Sequence, residues 1–406
     1  MASSTRVVSS VAGKMLQFIG AELSPYTAKV RGYLRYKKIP FEPVLCTIEV
    51  MKTFVKPRIG WSVVPIVVTP DNETLQDSTD IINTLEKHYP EPSIYPKTPK
   101  QKLVSLLLEM YADEWLFVTG MNYRWMYPSN KMFLHQEFGK ASFITDPADE
   151  QRKKGERICN RFGGGCQFLG IDDNSQPEFE KGYLEVLDIL SIHFDKYPYL
   201  LGYKPSIGDF AIFGQLYAMF FRDPEPGMIM KSRAPVVAAW VENMNYFTME
   251  SRQHLHSFKD GKLVKKALPP EQTDFLADDE IPETLLPLLE KVFQEQGPVL
   301  IDTAILLTQY LKENPDEPDI PRSIGVHPFK IGNVTGNRGI FPYVIWMLQG
   351  VVDYYNGLST QQKSNVDQFL AQFSGAEELV KTDLSQCRVE RKNVHVCRAP
   401  STTSKL

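Results

Sequence analysis

The chain has 406 residues, 43% of them hydrophobic and 23% charged, with a formal net charge of -4. That length suits two or three domains with real cores. The slightly acidic balance argues against nucleic acid as the main partner. No apolar run approaches the roughly 20 residues that span a bilayer. Residues 1–14 are small and polar, lack the apolar core of a signal peptide, and read as a flexible lead-in. Five cysteines (Cys46, Cys159, Cys166, Cys387, Cys397) show neither zinc nor disulfide spacing, and their odd number points to a reducing compartment. His254 and His256 have no third ligand nearby and read as surface residues, so no metal is expected.

Residues 15–89 carry the densest signal. An apolar run at 15–20 predicts a strand, and Ser24-Pro25-Tyr26 opens a helical pattern. After a loop, residues 63–69 and 74–82 predict two more strands and a helix, giving strand, helix, strand, connection, strand, strand, helix. Pro25 suits the first helical position, where a missing N–H costs nothing. The Ser24 hydroxyl then sits at the positive end of the helix, where it can donate to an anion or a thiolate. Pro65, inside an apolar run, must lie at a strand start, an edge or a cis turn. Such an edge leaves the Val64 backbone free to pair with an extended peptide. Asp77-Ser78 opens the last helix, with Ser78 as its expected cap and free N–H groups that can hold a carboxylate.

In these residues the stretch resembles the thioredoxin-fold domain of cytosolic glutathione transferases. On that resemblance, Ser24 corresponds to the residue that hydrogen-bonds the glutathione sulfur. Val64-Pro65 corresponds to the cis-proline dipeptide that pairs with the cysteinyl backbone, and Asp77-Ser78 to the pair that binds the γ-glutamyl end. The family usually has Glu or Gln where this chain has Asp77. With Ser at 24 and no cysteine in that loop, thiol–disulfide exchange gives way to activation of a bound glutathione thiol.

Residues 88–101 read as a linker, and from Lys102 the pattern is helical. The resemblance makes Tyr111, Trp115 and Tyr123 candidates for the apolar co-substrate pocket, against a reading as bundle core. Gly163–Gly165 lacks the ending of a phosphate loop and reads as a helix–helix turn. Ser206 and Asp209 form a capping box that resembles the capped helix of the transferase helical domain. The resemblance runs to about Phe258, and residues 259–280 read as a polar linker.

The expected fold class is therefore an α/β thioredoxin-like domain (15–90) and an all-α transferase domain (101–258). A mainly helical extension (281–380), with no matching family, follows them. Within it, residues 281–296 and 299–312 read as two helices, 327–339 as strand and turn, and 341–355 and 359–373 as a closing pair. The loop bearing His327 and Arg338 is either a polar hairpin packed on helices or the lining of a site for an anion. Residues 381–406 read as a flexible tail ending in Ser404-Lys405-Leu406, the address read by the peroxisomal import receptor, with the cytoplasm as the alternative location.

The function expected from the resemblance is a glutathione-dependent transferase acting on an apolar electrophile or peroxide, with glutathione as co-substrate, and a homodimer. Two alternatives share its residues: a non-catalytic scaffold on the same fold, favoured by the added surface, and a glutathione-dependent isomerase. The extension also stands to cover the surface on which such transferases dimerise.

Overall fold

A computed structural model describes residues 15–246, 255–266 and 268–399. The N-terminal domain runs β1 (Leu16–Gly20), α1 (Pro25–Tyr36) and β2 (Phe41–Leu45), then short helical turns α2 (Ile48–Val50) and α3 (Lys56–Ile59). It closes with β3 (Ile66–Val68), β4 (Thr74–Gln76) and α4 (Ser78–His88). The four strands lie in the order β2-β1-β3-β4, with β1–β2 parallel and the other two pairs antiparallel. This is the thioredoxin-like order that the alternation of β-branched runs and helical periods predicts.

The helical domain comprises α5 (Pro99–Tyr111), α6 (Phe117–Met126), α7 (Lys131–Ser142), α8 (Ala148–Gly163), α9 (Gln176–Phe194), α10 (Ile207–Gln215), α11 (Pro224–Arg233) and α12 (Pro235–Tyr246). A π-helical turn at Ala112–Leu116 joins α5 to α6 without a break, which re-aims Asp113, Glu114 and Trp115 within one long helix. Gly163–Gly165 is the expected helix–helix turn, since α8 ends at Gly163 and a 3-10 turn starts at Cys166. The α1–α10 contact is very close. A Cβ at Gly214 would lie 2.5 Å from the Pro25 carbonyl oxygen, so only glycine fits there.

Three expectations for the C-terminal half are corrected. Part of the stretch expected to be a linker is an exposed ribbon of β5 (Leu255–Lys259) and β6 (Lys262–Lys266). The two helices expected at 281–312 are one continuous rod: α13 (Leu286–Lys291), a π turn (Val292–Gln296) and α14 (Gly297–Glu313). Pro298 falls in the first turn of α14, where the preceding π turn accommodates it. Beyond β7 (Asp319–Ile320), the hairpin β8 (Val326–Ile331)–β9 (Val334–Gly339) and helices α15 (Tyr343–Asn356) and α16 (Thr360–Leu370) match the expected elements closely, and a short helix that was not expected, α17 (Ala376–Val380), follows.

The third correction concerns the tail. Residues 389–398 are not a solvated tail but a hairpin, β10 (Val389–Lys392) and β11 (His395–Arg398), with β11 pairing onto β7. Val389 and Val396 are buried, and that alternation gives the strands a core-facing side. Residues 400–406, with Ser404, Lys405 and Leu406, lie outside the described residues, as does His254. The five cysteines are free, and no cluster of potential metal ligands occurs among the described residues.

The extension is fused to the transferase helices rather than standing beside them. One hydrophobic cluster runs from Leu16 through Leu108 and Leu289 to Val396. Asp279 accepts from the backbone N–H groups of Lys100 and Gln101, each at 2.9 Å. It thereby caps α5, whose own N-cap residue Thr98 makes no side-chain cap bond. Lys291 pairs with Glu185 at 2.5 Å, and the Trp115 indole donates to Glu295 at 3.0 Å. Helices α15 and α16 also lie against α5.

Candidate active site

The register of the sheet brings the three N-terminal motifs to one edge. Ile19 pairs with Ile66, and Ile66 with Gln76. One step further along the three strands lie the loop to Ser24, the Val64–Pro65 peptide and Asp77. Val64–Pro65 is a cis bond just before β3, so the proline costs the ladder nothing.

Ser24 is the N-cap of α1, and its Oγ accepts from the Thr27 N–H at 3.2 Å. The hydroxyl hydrogen stays available to donate, and the free N–H groups of the first turn give it a positive setting. Arg124 fixes this turn from behind. It donates to the Leu23 carbonyl at 2.8 Å while pairing with buried Asp223 at 2.7 Å.

At α4 the cap is Asp77, not Ser78 as the sequence suggested. Asp77 adopts a positive φ of 79° and accepts from the N–H groups of Thr79 and Asp80. Ser78 is the first helical residue and is buried. The distinction rests on backbone conformation: an aspartate tolerates a left-handed φ and closes the turn onto its own helix.

Behind α1 is a charged cluster that the sequence reading missed. Lys29 Nζ lies 2.5 Å from Asp113, 2.7 Å from Glu109 and 3.1 Å from the Thr79 hydroxyl, all buried. Burial pushes Asp113 up to about 6, against the pull of Lys29. The Tyr26 hydroxyl donates to the Asp113 carbonyl at 2.9 Å, tying the α1 start to the π turn. A lysine within a helical pattern reads as surface, and only the paired acids on α5 and the turn after it reverse that.

The extension reaches the same edge. The Tyr343 hydroxyl donates to Asp77 Oδ2 at 2.6 Å. Arg391, with a side chain only 8% exposed, donates to the Asp80 carboxylate, to Gln76 Oε1 at 2.8 Å and to the Gln76 carbonyl at 2.9 Å. Its guanidinium lies 5.1 Å from the Trp346 ring, and 3.9 Å from Asp77 Oδ2. Val394, in the hairpin turn, packs on the cluster that also holds Val63 and Val64, and His395 sits edge-on to Trp61. The hairpin expected to be a free tail thus straps the edge where the motifs converge.

Of the pocket candidates, Tyr123 packs among Tyr127, Tyr183 and Phe220 and is core. Tyr111 and Trp115 are also buried, and they border a cavity of about 70 Å³ facing Glu178, Glu295 and Ile331. Tyr123 is not among the residues that line this cavity.

Comparison with known proteins assigns two of the domains. Residues 18–93 match the glutathione S-transferase N-terminal domain model, and residues 173–243 match the glutathione S-transferase C-terminal domain model. These two stretches carry the glutathione S-transferase N-terminal and C-terminal domains. Among solved structures it is similar to a glutathione S-transferase from Rhodospirillum rubrum F11 at 17% identity, covering 66% of this chain and 97% of that one, with a TM-score of 0.38. It is similar to a glutathione S-transferase from Methylobacterium radiotolerans, in complex with glutathione sulfonate, at 20% identity (59% and 92% covered, TM-score 0.36). A third is a β-etherase from a Sphingobium strain at 18% identity (57% and 94% covered, TM-score 0.42). No curated protein matches the chain. The two transferase models leave the region after residue 243 without a family match.

Proposed function

We propose that this protein belongs to the glutathione S-transferase family and is a glutathione-dependent transferase that activates the glutathione thiol with Ser24 for attack on an apolar electrophile or a peroxide. The observation that carries the reading is the convergence of Ser24, cis Val64–Pro65 and Asp77-Ser78 on one sheet edge. A thiolate placed at Ser24 would receive the free hydroxyl hydrogen and the field of the α1 N-terminus, both of which favour the charged form of the nucleophile. Val64 would pair with the peptide backbone of glutathione, and the α4 turn at Ser78 would hold its carboxylate. In this reading Tyr343 and Arg391 occupy the acidic side of the glutamyl position, so entry of glutathione accompanies release of Arg391. A glutathione-dependent isomerase would use the same residues on a different substrate.

The second reading is a scaffold on the transferase fold, favoured by that same strap and by the burial of Tyr111, Trp115 and Tyr123. Calorimetry with glutathione, alongside a conjugation assay on Ser24→Ala, separates the two. Binding weakened in Ser78→Ala, with turnover lost in Ser24→Ala, supports the transferase. A folded protein that binds no glutathione at millimolar concentration supports the scaffold. Import into peroxisomes through Ser404-Lys405-Leu406 belongs to the proposal, and loss of import on removing those three residues tests it. The homodimer implied by the resemblance is read by sedimentation of the full chain.

A further inference from the structure

The ribbon β5–β6 is exposed on both of its faces. Its register pairs Lys259 with Lys262, Phe258 with Leu263, Ser257 with Val264 and His256 with Lys265. Asp260 and Gly261, with φ of 49° and 73°, form a two-residue turn whose positive φ at both positions matches the strand twist and pins this register. Strand alternation then puts Phe258, Leu263, His256 and Lys265 on one face, and Lys259, Lys262 and Val264 on the other. Phe258 and Leu263 are each 75% exposed, and neither joins a hydrophobic cluster among the described residues. A single exposed apolar side chain is ordinary. Here two oppose each other on a ribbon that is marginal in water by itself. The charge is equally uneven. The ribbon holds Lys259, Lys262, Lys265 and Lys266, all exposed, against Asp260, in a chain whose net charge is -4.

We propose that the β5–β6 ribbon docks the protein on a bilayer bearing anionic phospholipid, with Phe258 and Leu263 entering the headgroup boundary and the lysines reaching the lipid phosphates around them. Lys265 shares the face of the apolar pair and meets the headgroups directly. Lys259 and Lys262, beside the turn, reach past the ribbon edges on their long apolar stems. The acidic remainder of the chain is repelled by the same surface, so the ribbon is the part presented to it. Other partners fit less well. A second copy would bring like charges together, and an added peptide strand would meet lysines, the device by which edge strands refuse partners. The phosphates of a nucleic acid would leave Leu263 in water. Two strands of five residues are too short to span a bilayer, so the contact is peripheral. The docking does not depend on the transferase reading.

The test is flotation of the full chain with phosphatidylcholine vesicles, alone or with about a third phosphatidylserine. The chain should float with the anionic vesicles, stay behind with the neutral ones, and be released as salt rises. Lys262→Gln with Lys265→Gln should weaken binding by at least about tenfold, since each lysine near an anionic surface contributes about fivefold. Phe258→Thr with Leu263→Thr keeps strand propensity and all four lysines, and should also weaken binding by at least about tenfold. Both pairs are exposed, so the melting temperatures should match wild type, which separates lost binding from lost fold. Where a variant melts lower, Phe258→Trp takes its place: a blue shift of emission relative to wild type on adding anionic vesicles supports the docking, and no shift overturns it. No flotation of the folded wild type, equal flotation with neutral vesicles, or binding that survives the threonine pair also overturns it. So does tighter binding to a random-sequence DNA duplex than to the anionic vesicles, which would make the ribbon a nucleic-acid contact.

Discussion

The hydroxyl of Tyr343, at the start of α15, donates to the carboxylate of Asp77, the cap of α4, at 2.6 Å. The bond joins the first domain to the extension at the position expected to receive the glutamyl end of glutathione. Tyr343→Phe removes one hydrogen bond to a charged acceptor and should lower stability by about 1–2 kcal/mol. Arg391→Ala should go further, raising glutathione affinity and speeding hydrogen exchange over residues 389–398. Unchanged affinity in a variant with faster exchange would show that the strap does not compete with the ligand.

The Lys29 cluster makes a distinct prediction. Lys29→Met leaves Glu109 and Asp113 buried without their cation. The loss should be about 3–5 kcal/mol at pH 8. It should shrink as pH falls, since the stranded carboxylates bind protons in the folded state more readily than in the unfolded one. Urea unfolding at pH 8 and pH 5 measures both.

Asp209 closes the capping box of α10. It accepts from the N–H groups of Leu200 and Ser206 and from the Ser206 hydroxyl, each at 2.8 Å, in a fully buried setting. Asp209→Ala strands two buried N–H groups and should lower stability by about 2–4 kcal/mol, while glutathione affinity stays at the wild-type value. An unchanged melting temperature would defeat the assignment.

His193 predicts acid sensitivity. The ring is fully buried between the Thr284 hydroxyl (Nδ1, 2.8 Å) and the Tyr199 carbonyl (Nε2, 3.1 Å), and burial lowers its pKa to about 4. The folded state therefore binds fewer protons than the unfolded state between about pH 4 and 6.5. The stability this neutral histidine contributes is present above 6.5 and is lost as pH falls toward 4, by an amount of the order of 2–3 kcal/mol. Burial raises Asp209 to about 7, which gives the opposite slope in the same window. The test is therefore the difference between wild type and His193→Gln: equal pH slopes would refute it.

Much of the site was legible because its signals are local. Ser24-Pro25 announces a helix start, Pro65 announces a break in a ladder, and Ser206 with Asp209 announces a cap, each within four residues of backbone. The Asp77 cap was misassigned by one position because only the φ of 79° distinguishes it from Ser78. Lys29 and Arg391 were illegible for a different reason. Each is a cation whose meaning depends on partners about 80 to more than 300 residues away, so in sequence each resembles surface. The hairpin at 389–398 was hidden likewise, because its charged residues outnumber the two buried valines that orient it.

Arg391 is synthesised 315 residues after Gln76, the acceptor it holds. At about 5–20 residues per second, some 15–60 seconds separate the two on the ribosome, while domains fold as they emerge. The N-terminal domain therefore spends that interval folded with its acidic edge uncovered. Closure follows the folding of that domain, and the strap meets a domain whose site has already been exposed to whatever small molecules surround it.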